Sequence, residues 1–322
     1  MTVDMRELAF GVEIEFTGMT RRQAAEICAE YFGTTVGQDA AGRSYRVRDE
    51  TGRSWRFVYD SSIRAEPSGD EYRVELVTPI CQYGDIERIQ ELLRKLRGEG
   101  GLKINGSCGL HIHVDGSRFD ARCLRNLVNL VANKEDMIYR ALHVRADRAA
   151  HYCKKTDPQF LEELNRKKPQ SLETFRQIWY QDGRPEVRHG HYDQSRYRCL
   201  NLHSFFEKGT VEYRVFNGTS HAGRLKSAIQ FVLAITAQAL NQKCVHLSKT
   251  QSDNEKYTFR TWLLRMGLIG EEFKTARKFL LENLEGNSAW RDPAQEKAQR
   301  ERMMQARLEE RQEEASVTME LE

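Results

Sequence analysis

The sequence predicts an α+β fold built on an antiparallel sheet, and three patterns carry that expectation. Four short runs alternate polar and apolar residues: Val12 to Phe16, Tyr72 to Val77, Leu110 to Val114 and Val211 to Phe216. A period of two is the mark of a strand with one covered and one polar face. Between them lie stretches with apolar residues three and four apart, which is helical spacing. The polar turn Asp49-Glu50-Thr51-Gly52 joins two further alternating runs into a hairpin. This β-α-β-β-α order with antiparallel hairpins argues against a doubly wound parallel sheet.

The first strand is expected over about 9–16. Thr20 then has the chemistry of a helix N-cap, Ala24, Ile27, Cys28, Tyr31 and Phe32 make an apolar stripe, and Gly33 is a stop signal. The hairpin follows, from Ser44 to Arg48 and from Trp55 to Tyr59, and leads into Asp60-Ser61-Ser62. That triplet is a polar segment at a strand end, equally readable as a simple Asx turn or as part of a site. Pro79 closes the strand that begins at Tyr72. Asp85 opens a helix whose face is Ile86, Ile89, Leu92, Leu93 and Leu96, ended near Gly98. A glycine-rich stretch, Gly98 to Gly109, leads into the histidine strand, and a long helical pattern after Phe119 runs through Leu124, Leu127, Val128, Val131 and Ile138.

From about 143 to 200 the chain is polar, basic and tyrosine-rich, with His143, His151, His189 and His191. It reads as an insertion of helices and loops that could face a substrate as a lid. After the strand ending at Phe216, Asn217-Gly218-Thr219 makes a turn and Leu225 to Leu240 an apolar helix. Shorter helices are expected at 257–268 and 271–284, and a charged helical pattern at Ala294 to Glu314. The expected organisation is one domain over 1–290, carrying the 143–200 insertion, and a charged helical or disordered tail over 291–322.

The chain has 322 residues, 39% apolar and 30% charged, which fits a water-soluble globular protein. It has no apolar run of membrane-spanning length and no signal-peptide core near Met1, so the expected location is cytoplasmic. Seven scattered cysteines without a Cys-x-x-Cys pair read as reduced thiols, Cys108 among them as a packing or loop residue. The net charge is +3, and residues from Arg291 onward hold six Lys/Arg against nine Asp/Glu, which leaves the main domain modestly basic. That suits anionic substrates such as phosphates and carboxylates. With no RNA-recognition sequence and no zinc-finger spacing, a nucleic-acid partner is not expected.

The polar positions of the four strands carry the chemistry. They present Glu13 with Glu15, Arg73 with Glu75, His111 with His113, and Glu212 with Arg214. Two carboxylates about 7 Å apart on one strand face repel, and burying them is costly unless a cation or hydrogen-bond donors compensate. Alternating charge also marks the solvated face of an ordinary antiparallel sheet. Lysine, the commonest residue on such a face, is absent from all four runs. Carboxylates of Glu13, Glu15, Glu75 and Glu212 with the His111 imidazole fit Mg2+ or Mn2+ better than zinc, and their number exceeds what one octahedral ion takes from protein. Such a cluster beside arginines serves phosphoryl transfer, with Arg214 and Arg73 placed to bind phosphoryl or carboxylate oxygens. There is no Gly-rich P-loop and no kinase catalytic-loop pattern.

The ordered set Phe10-Gly-Val-Glu-Ile-Glu-Phe16, Asp60-Ser-Ser, Val74-Glu-Leu-Val-Thr-Pro79, Gly109-Leu-His-Ile-His-Val-Asp115 and Thr210-Val-Glu-Tyr-Arg-Val-Phe-Asn-Gly-Thr219 resembles the amidoligase family over roughly residues 8–240. That family belongs to the carboxylate–amine ligase superfamily, with glutamine synthetase and γ-glutamylcysteine ligase as relatives. The resemblance implies a glutamine-synthetase-like antiparallel sheet curved into a half-barrel, helices on its outer face, and ATP with two or more divalent metals in its concave face. It makes 1–290 the catalytic domain. The implied reaction is ATP-dependent amide, peptide or isopeptide formation: a carboxylate takes the γ-phosphoryl group and an amine displaces phosphate.

By the same resemblance Glu13, Glu15, Glu75, His111 and Glu212 are metal ligands, with Glu75 also counted as catalytic. His113 touches nucleotide phosphate or a metal, and Arg214 stabilises the phosphoryl group or tetrahedral intermediate. Asp60 is implied near the amine, as its base, and Asn201 of Arg198-Cys-Leu-Asn-Leu at a polar strand position facing the site. The relatives' longer nucleotide and amino-acid loops have no counterpart here, so the carboxylate and the amine, whether amino acid, peptide or protein, stay unnamed.

Other classes compete. A phosphotransferase would share the sheet chemistry and stop after phosphate transfer. A metal-dependent hydrolase can open on His-x-His, but the repeated βα units and later ligands are missing; a cupin lacks the Glu expected soon after His113. A catalytically inactive binding module is disfavoured because the acids, histidines and arginine occur together. An open sheet with exposed edges is also suited to pairing with a second copy of the chain.

Overall fold

A computed structural model describes residues 2–40, 42–181, 190 and 193–319. Its strands are β1 (Phe10–Phe16), β2 (Val36–Gln38), β3 (Tyr45–Arg48), β4 (Ser54–Val58), β5 (Val74–Val77), β6 (Gly109–Asp115), β7 (Leu200–Asn201) and β8 (Thr210–Asn217). They form one open sheet in the order β2-β3-β4-β5-β1-β6-β8-β7, antiparallel throughout. The fold is therefore α+β, and the four expected strands are the adjacent set β5-β1-β6-β8, except that β5 starts at Val74: Tyr72 ends a 3-10 turn, Asp70–Tyr72, and Arg73 stands before the strand.

The helices are α1 (Arg21–Phe32), α2 (Ile86–Gly98), α3 (Ala121–Ala141), α4 (Ala146–His151), α5 (Pro158–Lys167), α6 (Leu172–Tyr180), α7 (His203–Lys208), α8 (Ala222–Asn241), α9 (Glu255–Arg265), α10 (Lys274–Leu281) and α11 (Pro293–Met319). The local signals act as expected in α1. Thr20 and Gln23 close a reciprocal capping box, and Gly33 ends the helix at φ 65°, a conformation that costs glycine little. Helix α8 lies against β6 and gathers α2, α3 and α10 around it. Its residues from Ala228 to Ala237 are buried all round, which explains its near-continuous apolar sequence.

Val12, Ile14 and Phe16 of β1, Val74 and Leu76 of β5, Ile112 and Val114 of β6 and Val211 and Tyr213 of β8 are buried in one core. Val215, next by simple alternation, is buried in the same core as expected, and the register adds Phe216 beside it. Leu110 pairs with Phe216 and Ile112 with Tyr213, so β8 carries one extra residue opposite His111. This bulge brings Phe216 into register with the core residue Leu110 beside the polar centre; bulges commonly sit next to such sites.

The 143–200 segment is helices and loops where described, as expected, and its Phe160, Leu164, Phe175, Ile178 and Trp179 are buried in the main core. His189 and His191 lie outside the described residues. Six cysteines are buried and free, and Cys244 is exposed. Among the described residues no helix is long and apolar enough to cross a membrane.

Candidate active site

The pairing of the central strands brings the expected acids and imidazoles together. Across β1 and β6, Glu13 is in register with His111 and Gly11 with His113. Across β1 and β5, Glu15 stands opposite Glu75, and across β6 and β8, His113 stands opposite Glu212. Like charges facing each other on adjacent strands are destabilising. Their placement here needs an electrostatic reason.

His111 is the centre of the group. Its Nδ1 lies 3.2 Å from Glu13 and 3.8 Å from Glu212, and its Nε2 lies 3.6 Å from Glu15. His113 Nδ1 meets the Thr210 hydroxyl at 3.0 Å, and its Nε2 is 3.2 Å from Glu13 Oε1. Both Nε2 atoms are buried without an aligned hydrogen bond. Glu212 is fully engaged: Arg214 Nη1 donates to one carboxylate oxygen and Asn201 Nδ2 to the other, each at 2.5 Å. Glu15 accepts from the Gly109 N–H at 2.6 Å. The Glu75 carboxylate has no hydrogen bond or ion pair among the described residues.

The charges respond to these neighbours. Burial pushes the Glu13 carboxyl up, but hydrogen bonds to His111 and His113 and their charge outweigh it, so it ionises well below the usual range. Burial likewise opposes ionisation of Glu212, and Arg214 and then His113 reverse this and hold it at about 2. For His113 burial favours the neutral ring, while Glu212 and Glu13 prevail and raise it. Glu75 goes the other way: burial, followed by the charges of Glu13, Glu15, Asp60 and Glu212, raises it well above the usual range. The guanidinium and the imidazoles are thus committed to Glu13 and Glu212. Glu75 is left with no cation of the described residues beside it, so its ionisation is disfavoured.

Two groups of atoms could hold a cation: Glu13, His111 and Glu212, and Glu15, Glu75 and His111, with the atoms of each within 4.8 Å of one another. A neutral imidazole offers a single lone pair, so His111 can ligate in only one of them at a time. The unsatisfied Nε2 atoms, the unpaired Glu75 and the hard oxygen donors all fit Mg2+ or Mn2+.

These residues floor a cleft of about 330 Å3 whose rim includes Asp60 and Ser62. Asp60 does form an Asx turn, accepting from the Ser62 N–H at 2.6 Å, and still borders the cleft. Arg73 lies behind the rim. It donates to the Tyr59 hydroxyl at 3.0 Å and the Ser61 carbonyl at 3.4 Å, with its guanidinium over the Tyr59 ring. Asn201 borders a smaller pocket of about 140 Å3 that shares Arg196, Lys208 and Glu212 with the cleft.

Sequence reasoning missed Arg148, Tyr152, Arg196, Tyr197 and Lys208, which line the same cleft. The first four come from the two ends of the 143–200 segment, which is where that segment borders the cleft. The basic, tyrosine-rich composition was the available signal.

A family model described as "Putative amidoligase enzyme" matches residues 6–236. The chain belongs to this amidoligase family. The match spans all eight strands and most of α8, and so includes every residue of the cluster. No curated protein matches the chain. Membership in the amidoligase family points to a ligase-type enzyme.

Proposed function

We propose that the protein is an ATP- and divalent-metal-dependent carboxylate–amine ligase acting through an acyl phosphate, on a glutamine-synthetase-like half-barrel. The observation that carries this reading is the half-buried Glu75, unpaired among the described residues and facing Glu13, Glu15, Asp60 and Glu212, beside imidazoles with orphaned Nε2 atoms. The residues that would hold the ions are Glu13, Glu15, Glu75, His111 and Glu212. Bound Mg2+ or Mn2+ would neutralise phosphate charge and orient the nucleotide.

The chain's own groups do the rest. A substrate carboxylate oxygen attacks the γ-phosphorus of ATP and ADP leaves. The amine nitrogen then attacks the acyl carbon, and phosphate departs with the bonding pair. Arg214, fixed by Glu212 and by the Tyr152 carbonyl at 3.3 Å, is held rigidly enough to stabilise an oxyanion without reorganising. Asp60, on the cleft rim, would accept the proton that the amine loses. His113 and Asn201 orient Glu13 and Glu212, and Arg73 steadies Tyr59 and the Asp60 turn. The partners are a carboxylate substrate and an amine acceptor.

The test is ADP and phosphate release from Mg-ATP across pooled amino acids and short peptides, with mass spectrometry of the same mixtures. A product lighter by one water than its two parents is the expected result. A phosphorylated acceptor would move the assignment to a phosphotransferase, and wild-type protein that binds no Mg-ATP would remove the reading altogether.

A further inference from the structure

Arg148 is the most anomalous charged group in the cleft. It is only 2% exposed, yet it forms no ion pair among the described residues. Of its guanidinium's five N–H donors, one reaches an acceptor, the Arg214 carbonyl, in a long bond of 3.4 Å. Its Nε has no partner among the described residues. Taking a guanidinium out of water without a counter-charge is strongly unfavourable, so such groups are almost always paired. The contrast with nearby arginines is direct: Arg145 is half exposed and paired with Asp147 at 3.1 Å, and Arg214 is committed to Glu212.

The fold makes room for this cation deliberately. A Cβ built at Gly109 would lie 2.5 Å from Arg148 Nη2, so glycine at this position is what lets the guanidinium lie against β6. The same Gly109 donates its N–H to Glu15, which puts Arg148 next to the acidic cluster. Tyr152, one residue beyond α4, gives its carbonyl to Arg214, so the helix carrying Arg148 is tied to the second guanidinium. Arg148 and Arg214 thus form a basic wall beside an acidic floor, and both border the cleft.

We propose that Arg148 binds an oxyanion of the substrates, a carboxylate or a phosphoryl group, through its unused donors. This deepens the ligase reading and rests on it. Charge-assisted, forked hydrogen bonds from guanidinium are well matched to either anion. The assignment separates two arginine roles: Arg214 is neutralised within the chain by Glu212, whereas Arg148 awaits its counter-charge from the ligand.

Calorimetric titration of the full chain with inorganic phosphate and, separately, with acetate tests this, each with and without Mg2+. Arg148→Gln is expected to weaken binding of one anion by about tenfold or more while leaving Mg2+ affinity within about twofold. The anion affected identifies the source: phosphate for a phosphoryl group, acetate for a carboxylate. Gly109→Ala, which pushes the guanidinium aside without removing its charge, is expected to weaken the same anion. A merely structural counter-charge to Glu15 would lower the melting temperature of Arg148→Gln and leave anion affinity unchanged. Equal anion affinity in wild type and variants, or no anion binding by wild type, overturns the proposal. Wild-type protein that binds the anion but neither Mg2+ nor Mg-ATP overturns the ligase reading instead.

Discussion

Glu75 concentrates the electrostatic problem of this molecule in one side chain. Burial, and then the charges of Glu13, Glu15, Asp60 and Glu212, make its ionisation unfavourable, and no cation among the described residues is paired with it. An acid held above its ordinary value of about 4.3 weakens the fold as pH rises through that value. Glu75→Gln is therefore expected to melt no lower than wild type at neutral pH without metal, and to lose the stabilisation that Mg2+ gives. Mg2+ binding should also release protons, more of them at lower pH, seen by calorimetry in buffers of different ionisation enthalpy. Unchanged Mg2+ stabilisation in Glu75→Gln would take this residue out of the metal site. Arg214 is the complementary case. Arg214→Ala should raise the barrier by about 2–4 kcal/mol, and a fall in kcat/KM of less than tenfold would contradict its oxyanion role.

The elements show how local chemistry supports this site from a distance. The hairpin turn between β3 and β4 is organised by Asp49, whose buried carboxylate accepts from the Thr51 hydroxyl at 2.7 Å, the Arg53 N–H at 2.9 Å and the Trp55 indole at 3.2 Å. Arg53 then makes a two-pronged pair with Asp85 at 2.8 and 2.9 Å, fastening the hairpin to the start of α2. Burial opposes ionisation of Asp49, but these donors prevail and hold it at about 2. Its contribution is whole above the unfolded value of about 3.9 and is lost as pH falls toward 2. Asp49→Asn should cost about 1–3 kcal/mol at neutral pH and flatten the acid limb of the stability curve. Parallel curves for the two proteins would show that the ionised carboxylate matters little. The elements the sequence hid have physical explanations as well. Strand β7 has two residues, too few for alternation to register, and α5 and α6 are short helices whose clearest marks are their caps, Asp157 before Pro158 and Ser171.

At the scale of the whole molecule, the cleft is assembled from segments far apart in the chain, while the C-terminal helix α11 stands apart from it. Met303, Met304 and Leu308 of α11 are exposed, and the Trp290 carbonyl just before it still accepts a hydrogen bond from Asn254. We place the functional boundary there: a chain ending at residue 290 should melt within about 3 °C of the full chain and bind Mg-ATP equally well. A larger drop in melting temperature would mean that the tail packs on the catalytic domain, and a loss of nucleotide binding that it completes the site.

The sequence by itself determined the strands of the site, three of their polar dyads and the caps of α1, because period-two alternation and capping chemistry are local properties of neighbouring residues; Arg73 falls just before β5. It also carried the family, through motifs that keep their order along the chain. Only the tertiary structure decided which dyads oppose one another, since strand order and register depend on which apolar faces share a core. The bulge opposite His111, the isolation of Glu75 and the unpaired guanidinium of Arg148 follow from that packing. Each is set by partners distant in sequence, and no local pattern encodes such a partner or its absence.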